Sequence, residues 1–345
     1  MGGDHAPAAV VEGAAFAARR GLGPIVLVGA QDAIRREASR IGLVLVGGDP
    51  QGPNDVSVEH ADECIAMDES PVRAARAKRG SSMHVACGLV RDGRACGVLS
   101  AGNSGALMAV ALLLLKRIPR CERPAIAAIL PTRGTPSVLL DVGANVECRA
   151  PHLAQFGVMG SAYAEIRLGR SAPRVGLLSN GTELTKGTEL LREADALLRS
   201  TGLSYVGFVE GRDLPMGAVD VVVTDGFTGN VALKLSEGIA FAMVDRLRNA
   251  LKATVMGALG GLMARGALMS LREELDWGRI GGAPLLGIDA VVVAAHGSSG
   301  ADAVANGVRV TRELAQLDLV NRLRAALASA DVPQSGTNSL GGLMP

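Results

Sequence analysis

Aromatic residues are scarce in this sequence: among 345 residues there are one Trp, two Tyr and five Phe, too few rings to build the stacking platforms that single-stranded nucleic acids need. A surplus of charge is missing too. Lys plus Arg number 35 and Asp plus Glu 34, a formal net charge of +1, so no global field gathers nucleic acid, and any charge-driven partner must meet a local patch. The five cysteines, Cys64, Cys87, Cys96, Cys121 and Cys148, include no CxxC pair; this argues against a disulfide framework or structural zinc and for a reducing compartment. The opening MGGDHAP has no basic stretch followed by an apolar run, so it is not read as a secretory signal and a cytoplasmic protein is expected. No GxxxxGK(S/T) loop, no GxGxxG after the first strands and no GxSxG elbow occurs. Nucleotide, dinucleotide and acyl-serine chemistry therefore have no motif behind them.

Glycine is plentiful, at 45 residues, within a globular composition of 48% hydrophobic and 20% charged residues. Its placement is regular. Short β-branched or Leu-rich runs at 25–28, 97–99, 138–140, 175–178, 219–223 and 290–295 each lead into a Gly-rich or polar loop. The loops after the last five are SAGNSG, DVGAN, SNGTELTKGTE, TDGFTGN and HGSSG. The runs lack polar alternation, as expected for strands covered by helices on both faces. Helical spacing follows over 106–116, 231–248 and 302–328. The expected fold is α/β, a three-layer α/β/α arrangement on a mostly parallel sheet, as one domain over residues 1–330 with a flexible tail at 331–345.

One stretch departs from this alternation. Residues 253–264, ATVMGALGGLMA, carry no charge and lie between Lys252 and Arg265, well short of the roughly 20 apolar residues of a spanning helix. Leu247, Leu251 and Val255 fall at four-residue spacing, and Arg246, Arg248, Lys252, Arg265 and Arg272 surround them. Two readings of a helical hairpin over about 245–275 fit equally. It lies in a membrane surface through Leu251, Val255, Met256, Leu259, Leu262 and Met263, or it packs in a dimer interface. Gly257, Gly260 and Gly261 mark its expected turn.

In an open parallel sheet the ligand crevice lies beyond the carboxyl ends of the strands. Glycine-rich loops there let an anion approach the unpaired N–H groups of a helix start. Gly102, Asn103, Ser104 and Gly105 in SAGNSG, and Gly297, Ser298 and Ser299 in HGSSG, have this form, although each loop taken alone also fits a simple helix cap. Lys186 is the one lysine in the strand-end loops, suited to neutralise phosphate or a developing oxyanion or to sit solvated at a helix start. Asn145, Asn180 and Asn230 are oxyanion-donor candidates in positions that turns also favour. His5 and His296 are candidates to protonate a leaving thiolate. Asp4, Asp141 and Asp225, at strand ends, are placed to orient such a base or, as the weaker option without a tight His/Asp/Glu cluster, to bind a metal. If all these loops meet at one sheet edge, direct attack by bound phosphate needs no covalent enzyme intermediate, no cofactor and no metal.

The sequence resembles, from its first residue to about residue 330, the phosphate acyltransferases of bacterial phospholipid synthesis, which convert acyl-acyl-carrier-protein and phosphate to acyl phosphate. The similarity is carried by MGGDHAP (1–7), SPVRAARAKRGSSM (70–83), LSAGNSGALMA (99–109), RPAIAAILPT (123–132), LLDVGAN (139–145), NGTELTKGTELL (180–191), VEGRDL (209–214), DVVVTDGFTGNVALKLSEG (220–238) and GGAPLLGIDAVVVAAHGSS (281–299). It implies a fold like that of the isocitrate and isopropylmalate dehydrogenases and a homodimer. It also implies peripheral attachment to the inner face of the cell membrane through the hairpin, and a product handed to a membrane glycerol-3-phosphate acyltransferase. Arg73, Arg76, Lys78 and Arg79 then become a candidate dock for acidic acyl carrier protein, or a solvated helix face. Members usually carry a short strand before GGDHAP, and this sequence starts at Met1 of that motif. An open sheet position and a displaced Asp4 and His5 are the expectation. Rival readings are a metal- and NAD-dependent decarboxylating dehydrogenase on the same fold and a non-catalytic membrane scaffold.

Overall fold

The apolar runs become strands because β-branched side chains fit a pleated surface covered on both faces. A computed structural model describes residues 1–274 and 281–334, side chains at 258 and 270–274 excepted. The chain order is α1 (Ala8–Arg19), β1 (Ile25–Gly29), α2 (Gln31–Arg40), β2 (Val56–His60), α3 (Pro71–Ala77), α4 (Ser82–Arg91), β3 (Gly97–Ser100) and α5 (Ser104–Leu114). It continues with β4 (Ala125–Leu130), β5 (Ser137–Leu140), α6 (Ala150–Leu168), β6 (Val175–Leu178), α7 (Glu189–Ser200), β7 (Tyr205–Val209) and β8 (Val221–Val223). Then follow α8 (Gly226–Lys252), α9 (Val255–Met263), α10 (Arg265–Glu274), β9 (Ala283–Leu286), β10 (Val291–Ala294), α11 (Ala301–Gln316) and α12 (Leu319–Ser329).

Eight strands form one sheet in the order β3-β10-β9-β4-β5-β8-β6-β7, and β1 and β2 pair separately. On one face α6, α7, α11 and α12 bury Phe156, Met159, Tyr163, Leu198 and Leu314 against the sheet. On the other, α3, α4 and α5 bury Ala75, Cys87, Leu107 and Val110. The three-layer α/β expectation is met. Gly157 and Gly160 let α6 lie close on its neighbours: an added Cβ would stand 2.6 Å from Leu198 and 2.7 Å from Val221 respectively.

The sheet is mostly parallel, as expected, but mixed, and its antiparallel pairings overturn the expectation that the candidate loops share one edge. β3 and β10 are parallel; β10–β9, β9–β4 and β4–β5 are antiparallel; β5, β8, β6 and β7 are parallel. Hence β3, β10 and β4 run one way, and β9, β5, β8, β6 and β7 run the other. The loops SAGNSG and HGSSG leave one sheet edge, and DVGAN, TDGFTGN and SNGTELTKGTE leave the opposite edge. The single convergence point does not exist within one chain.

Between β1 and β3 lies a cavity of about 860 Å³, lined by Val26, Leu27 and Val28 on one side and Val98, Leu99 and Ser100 on the other. The two sheets do not join. The GGDHAP segment is seated against the loops after β3 and β10. Asp4 N–H donates to the Gly297 carbonyl at 2.9 Å, and a Cβ on Gly3 would stand 3.1 Å from the Ala101 carbonyl oxygen.

Three local expectations change. The helix read over 302–328 is two helices, broken at Leu317 and at Asp318, whose φ is +56°. Gly257, Gly260 and Gly261 lie inside α9; the hairpin turns instead at Ala253 and Thr254, where the Thr254 hydroxyl caps Gly257 N–H at 3.0 Å. Glycine at 257 serves close packing, since a Cβ there would meet the Leu251 carbonyl oxygen at 2.6 Å. The segment read as a loose tail begins packed, with Val332 buried and Gln334 Nε2 donating to the Arg120 carbonyl at 3.0 Å. Residues 335–345, and the end of the hairpin at 275, lie outside the described residues.

Candidate active site at two sheet edges

At the first edge, Asn103 caps α5, accepting the Ala106 N–H at 3.0 Å. Its amide also donates to the carbonyls of Met67 and Glu69, at 3.1 and 3.2 Å, so this buried side chain is a bracket and not a free phosphate donor. What α5 leaves open are the first N–H groups, at Ser104 and Gly105, and the exposed Ser104 hydroxyl. Gly102 is buried beneath the chain start, and Gly105 lies under Pro71, where a Cβ would stand 2.9 Å from the proline ring. That approach seats α3 across the start of α5.

Arg73, Arg76 and Arg79 are therefore exposed beside the SAGNSG loop. Lys78 is not part of that row. Its Nζ donates to Glu69 Oε1 at 2.6 Å and to the Cys64 carbonyl at 2.9 Å, and the Glu69 hydrogen bond holds its pKa above the ordinary lysine value. Lys78 ties down the 64–69 loop.

HGSSG reaches the same place from β10. Gly300 caps α11 without a side-chain bond. The His296 Nδ1 lies 2.7 Å from Ser298 Oγ and accepts the Ser298 N–H at 3.2 Å. With Nδ1 an acceptor, the neutral ring carries its proton on Nε2. Ser299 N–H is committed to the His296 carbonyl at 2.9 Å. Gly297 touches the chain start, with the Asp4 carboxylate 3.4 Å from where its Cβ would be, and His5 is exposed nearby. Asp4, His5, Gly102, Ser104, Gly105, His296, Gly297, Ser298 and Ser299 thus occupy one edge.

At the opposite edge Asp141 is the organiser. Its fully buried carboxylate accepts the N–H groups of Ile126, Gly143, Ala144 and Asn145 and the Asn145 amide, at 2.7 to 3.2 Å. Burial raises its pKa and those bonds oppose the rise; every partner is a donor, so only the anion satisfies them all. Asn145 is buried, and its amide donates both to Asp141 and to the Pro124 carbonyl at 2.8 Å, leaving no hydrogen for an oxyanion. Asn230 donates to the Val142 carbonyl at 3.0 Å and crosses above Gly143, where a φ of +137° favours glycine and an added Cβ would stand 3.0 Å from the Asn230 amide nitrogen. Asp225 caps α8 through Thr228 at 2.8 Å.

Asn180 accepts the Gly187 N–H at 2.9 Å, closing the loop that carries an exposed Lys186. From β10 to β6 there are five strand-to-strand steps, about 24 Å at about 4.8 Å each. A lysine side chain does not bridge that span. Lys186, Asn180 and Asn230 are not brought to the SAGNSG and HGSSG loops of the same chain.

Burial pushes the thiols of Cys87, Cys121 and Cys148 up to about 12, which removes their thiolates as nucleophiles. Among the described residues no group of three or more His, Cys, Asp or Glu is placed to hold a metal, and no helix is long and apolar enough to cross a membrane. Sequence reasoning missed Asp141 as a hub and missed Arg123, Arg149 and His152 altogether. The long RPAIAAILPT match was the one available signal for Arg123.

Residues 1–322 match the family described as "Fatty acid synthesis protein". A phosphate acyltransferase of Syntrophotalea carbinolica is 50% identical over 327 residues, covering 95% of this chain and 92% of the relative. This chain belongs to the phosphate acyltransferase family. A second member, from Trichlorobacter lovleyi, is 46% identical over 95% of this chain and 93% of its own. Among solved structures, a phosphotransacetylase from Streptococcus pyogenes superposes with a TM-score of 0.57 at 16% identity, covering 94% of this chain and 92% of that one. The EutD phosphotransacetylase of Staphylococcus aureus gives 0.54 at 16% identity, over 88% and 92%. At such identity these two show the fold alone. Membership of the phosphate acyltransferase family makes the chain an acyltransferase, and the dehydrogenase and non-catalytic scaffold readings lose their support.

Proposed function

We propose that the chain transfers a fatty acyl group from acyl-acyl-carrier-protein to inorganic phosphate, giving acyl phosphate for glycerophospholipid synthesis, and that transfer takes place at the β3/β10 edge. The observation carrying this is that α5 and α11 start at the same ends of the adjacent parallel strands β3 and β10, with the chain start seated at that edge through Asp4 and Gly297. Phosphate is held by the N–H groups and hydroxyls of Ser104, Ser298 and the adjoining glycines. A phosphate oxygen attacks the thioester carbonyl, the tetrahedral intermediate expels the thiolate, and the proton of the attacking hydrogen phosphate passes to that sulfur by way of His296 or His5, which returns to its starting charge. Arg73, Arg76 and Arg79 stand next to this edge and suit an acidic carrier.

Lys186, Asn180 and Asn230 have no part in a step at this edge of the same chain. The homodimer implied by the sequence resemblance is the arrangement that would let another copy supply them. The apolar residues exposed along α8 and α9, including Ile239, Met243, Met256 and Leu259, favour either that dimer or a cytoplasmic-side membrane contact, and the handing of product to a membrane glycerol-3-phosphate acyltransferase. A closer kinship with the isocitrate and isopropylmalate dehydrogenases belongs to the same proposal.

The test is thioester loss and hydroxylamine-trapped acyl phosphate, measured with acyl carrier protein and with coenzyme A as donors, with and without phosphate. Phosphate-dependent loss from the carrier thioester is expected. No phosphate-dependent loss from either donor would overturn the assignment.

A further inference from the structure

A second cavity, of about 770 Å³, opens at the edge opposite the proposed transfer site, between α5, the segment leading into β4, the DVGAN loop and the start of α6. Among the described residues its lining includes Arg117, Arg123 and Arg149 and one carboxylate, Glu122. In a chain whose net charge is +1, three guanidiniums around one concavity form a local patch of the kind that total charge conceals.

The carboxylate does not cancel them. Glu122 Oε2 lies 3.2 Å from His152 Nε2. His152 Nδ1 accepts the Arg149 backbone N–H at 3.1 Å, so the neutral ring donates its Nε2–H to Glu122. Burial first, and then the charges of Arg123 and Arg149, hold the His152 pKa below its ordinary value, with Glu122 opposing. Both arginines and this imidazole line the one cavity. Neither the Arg123 nor the Arg149 side chain has an ion pair or a hydrogen-bond acceptor among the described residues.

The frame beneath them is rigid. Arg123 precedes Pro124, whose carbonyl is fixed by the Asn145 amide, itself held by Asp141. Arg149 is the N-cap residue of the 19-residue helix α6, so the positive end of that dipole adds to the two side chains. Met108 and Leu112 of α5 and Pro124 give the cavity an apolar wall, and the space exceeds that of a bare phosphate ion.

The geometry points to a binding site for a phosphate group carried on an organic body, held by Arg123 and Arg149 at the mouth with the remainder of the ligand against α5. Planar guanidiniums match phosphate oxygens two at a time, and two of them balance a dianion. This site is separate from the α5 and α11 helix starts, and it rests on the acyl phosphate reading only for its choice of probes.

The test is calorimetric titration of the full chain with inorganic phosphate and, separately, with coenzyme A, whose phosphopantetheine arm also occurs on carrier proteins. Arg123→Gln, Arg149→Gln and the double variant are compared with the parent; all replace exposed side chains, and unchanged thermal melts check the fold. Each single variant is expected to weaken binding of coenzyme A about tenfold, the loss of one charged hydrogen-bond pair, with partial recovery in Arg123→Lys. A loss confined to inorganic phosphate would support the site and name the free ion as its ligand. Parent-like affinity of the double variant for both probes would overturn it. Binding is read directly, so this outcome is independent of whether acyl phosphate forms.

Discussion

The Asp141 carboxylate and the Asn145 amide meet at 3.0 Å while both hold the strand-end backbone around them, Asp141 through Ile126 N–H and Asn145 through the Pro124 carbonyl. The pair joins the end of β5 to the start of β4 with no solvent exposure at Asp141. Replacing Asp141 by Ala leaves four backbone N–H groups and an amide without their acceptor. A loss of about 3 kcal/mol or more is expected, the cost of breaking one side of a buried charged network. Urea unfolding of Asp141→Ala against the parent measures it; a difference under about 1 kcal/mol would mean that water replaces the carboxylate.

Gly229 approaches the same residue from α8. A Cβ at 229 would fall 1.9 Å from the Asp141 carbonyl oxygen, an overlap that backbone must yield to relieve. Gly229→Ala is expected to cost about 2 kcal/mol, in the range of overpacked cores, while Gly238→Ala, with open space around it, keeps or slightly raises stability. Thermal melts of the two variants side by side give the comparison.

Burial lowers the pKa of both His84 and His152 from the ordinary 6.5. The unfolded chain then binds more protons than the folded one as pH drops below that value. Their contribution to stability is complete above 6.5 and is lost as pH falls through the folded values. Urea midpoints are expected to decline from pH 7 to pH 5, before the carboxylates titrate, and to decline less in His152→Gln. An identical slope in the variant would remove His152 from the account.

Distance decides the expectation for Lys186. At about 24 Å across the sheet from the β10 loop, Lys186→Ala leaves the apparent affinity for inorganic phosphate within twofold of the parent if phosphate sits at the α5 and α11 starts. His296→Gln removes a proton donor there and is expected to lower kcat with the carrier thioester about a hundredfold. Initial rates over a phosphate series separate the two; a large rise in KM for phosphate in the lysine variant would place Lys186, of the same chain or of another copy, at the phosphate.

Met256 and Leu259 are exposed on α9, at 76% and 52%, so aspartate at both positions should leave the melt unchanged. Sedimentation with vesicles of anionic lipid, and light scattering of the protein alone, are expected to show loss of vesicle binding or of self-association. Retention of both would assign the hairpin neither role.

Much of the fold was legible because its signals are local. Val175–Leu178 and Val221–Val223 are apolar without alternation, and Gly-rich loops follow them; the layer order follows from that grammar. β4 escaped because Ala125–Leu130 follows no loop of the repeated kind, and three of its six residues are alanine, a weak strand former. Strand direction escaped for a deeper reason. A run such as Val-Val-Val reads the same whichever way it points; the reversals at β4–β5 and β9–β10 are short hairpins, and the pairing that sets β9 beside β4 joins residues far apart in sequence. The candidate loops were therefore found, but their division between two edges was not. Asp141 was read as a base-orienter because its position after a strand was visible and its five donors were not.

That division also fixes how damage accumulates. Ser298 and Lys186 share no partner and sit well beyond the roughly 10 Å over which effects usually couple, so within one chain their folding free-energy changes should simply sum. Asp141 and Asn145 should not: once one is gone the other has little left to lose. Random substitutions would thus show two independent neighbourhoods of epistasis, one on either side of the antiparallel seam.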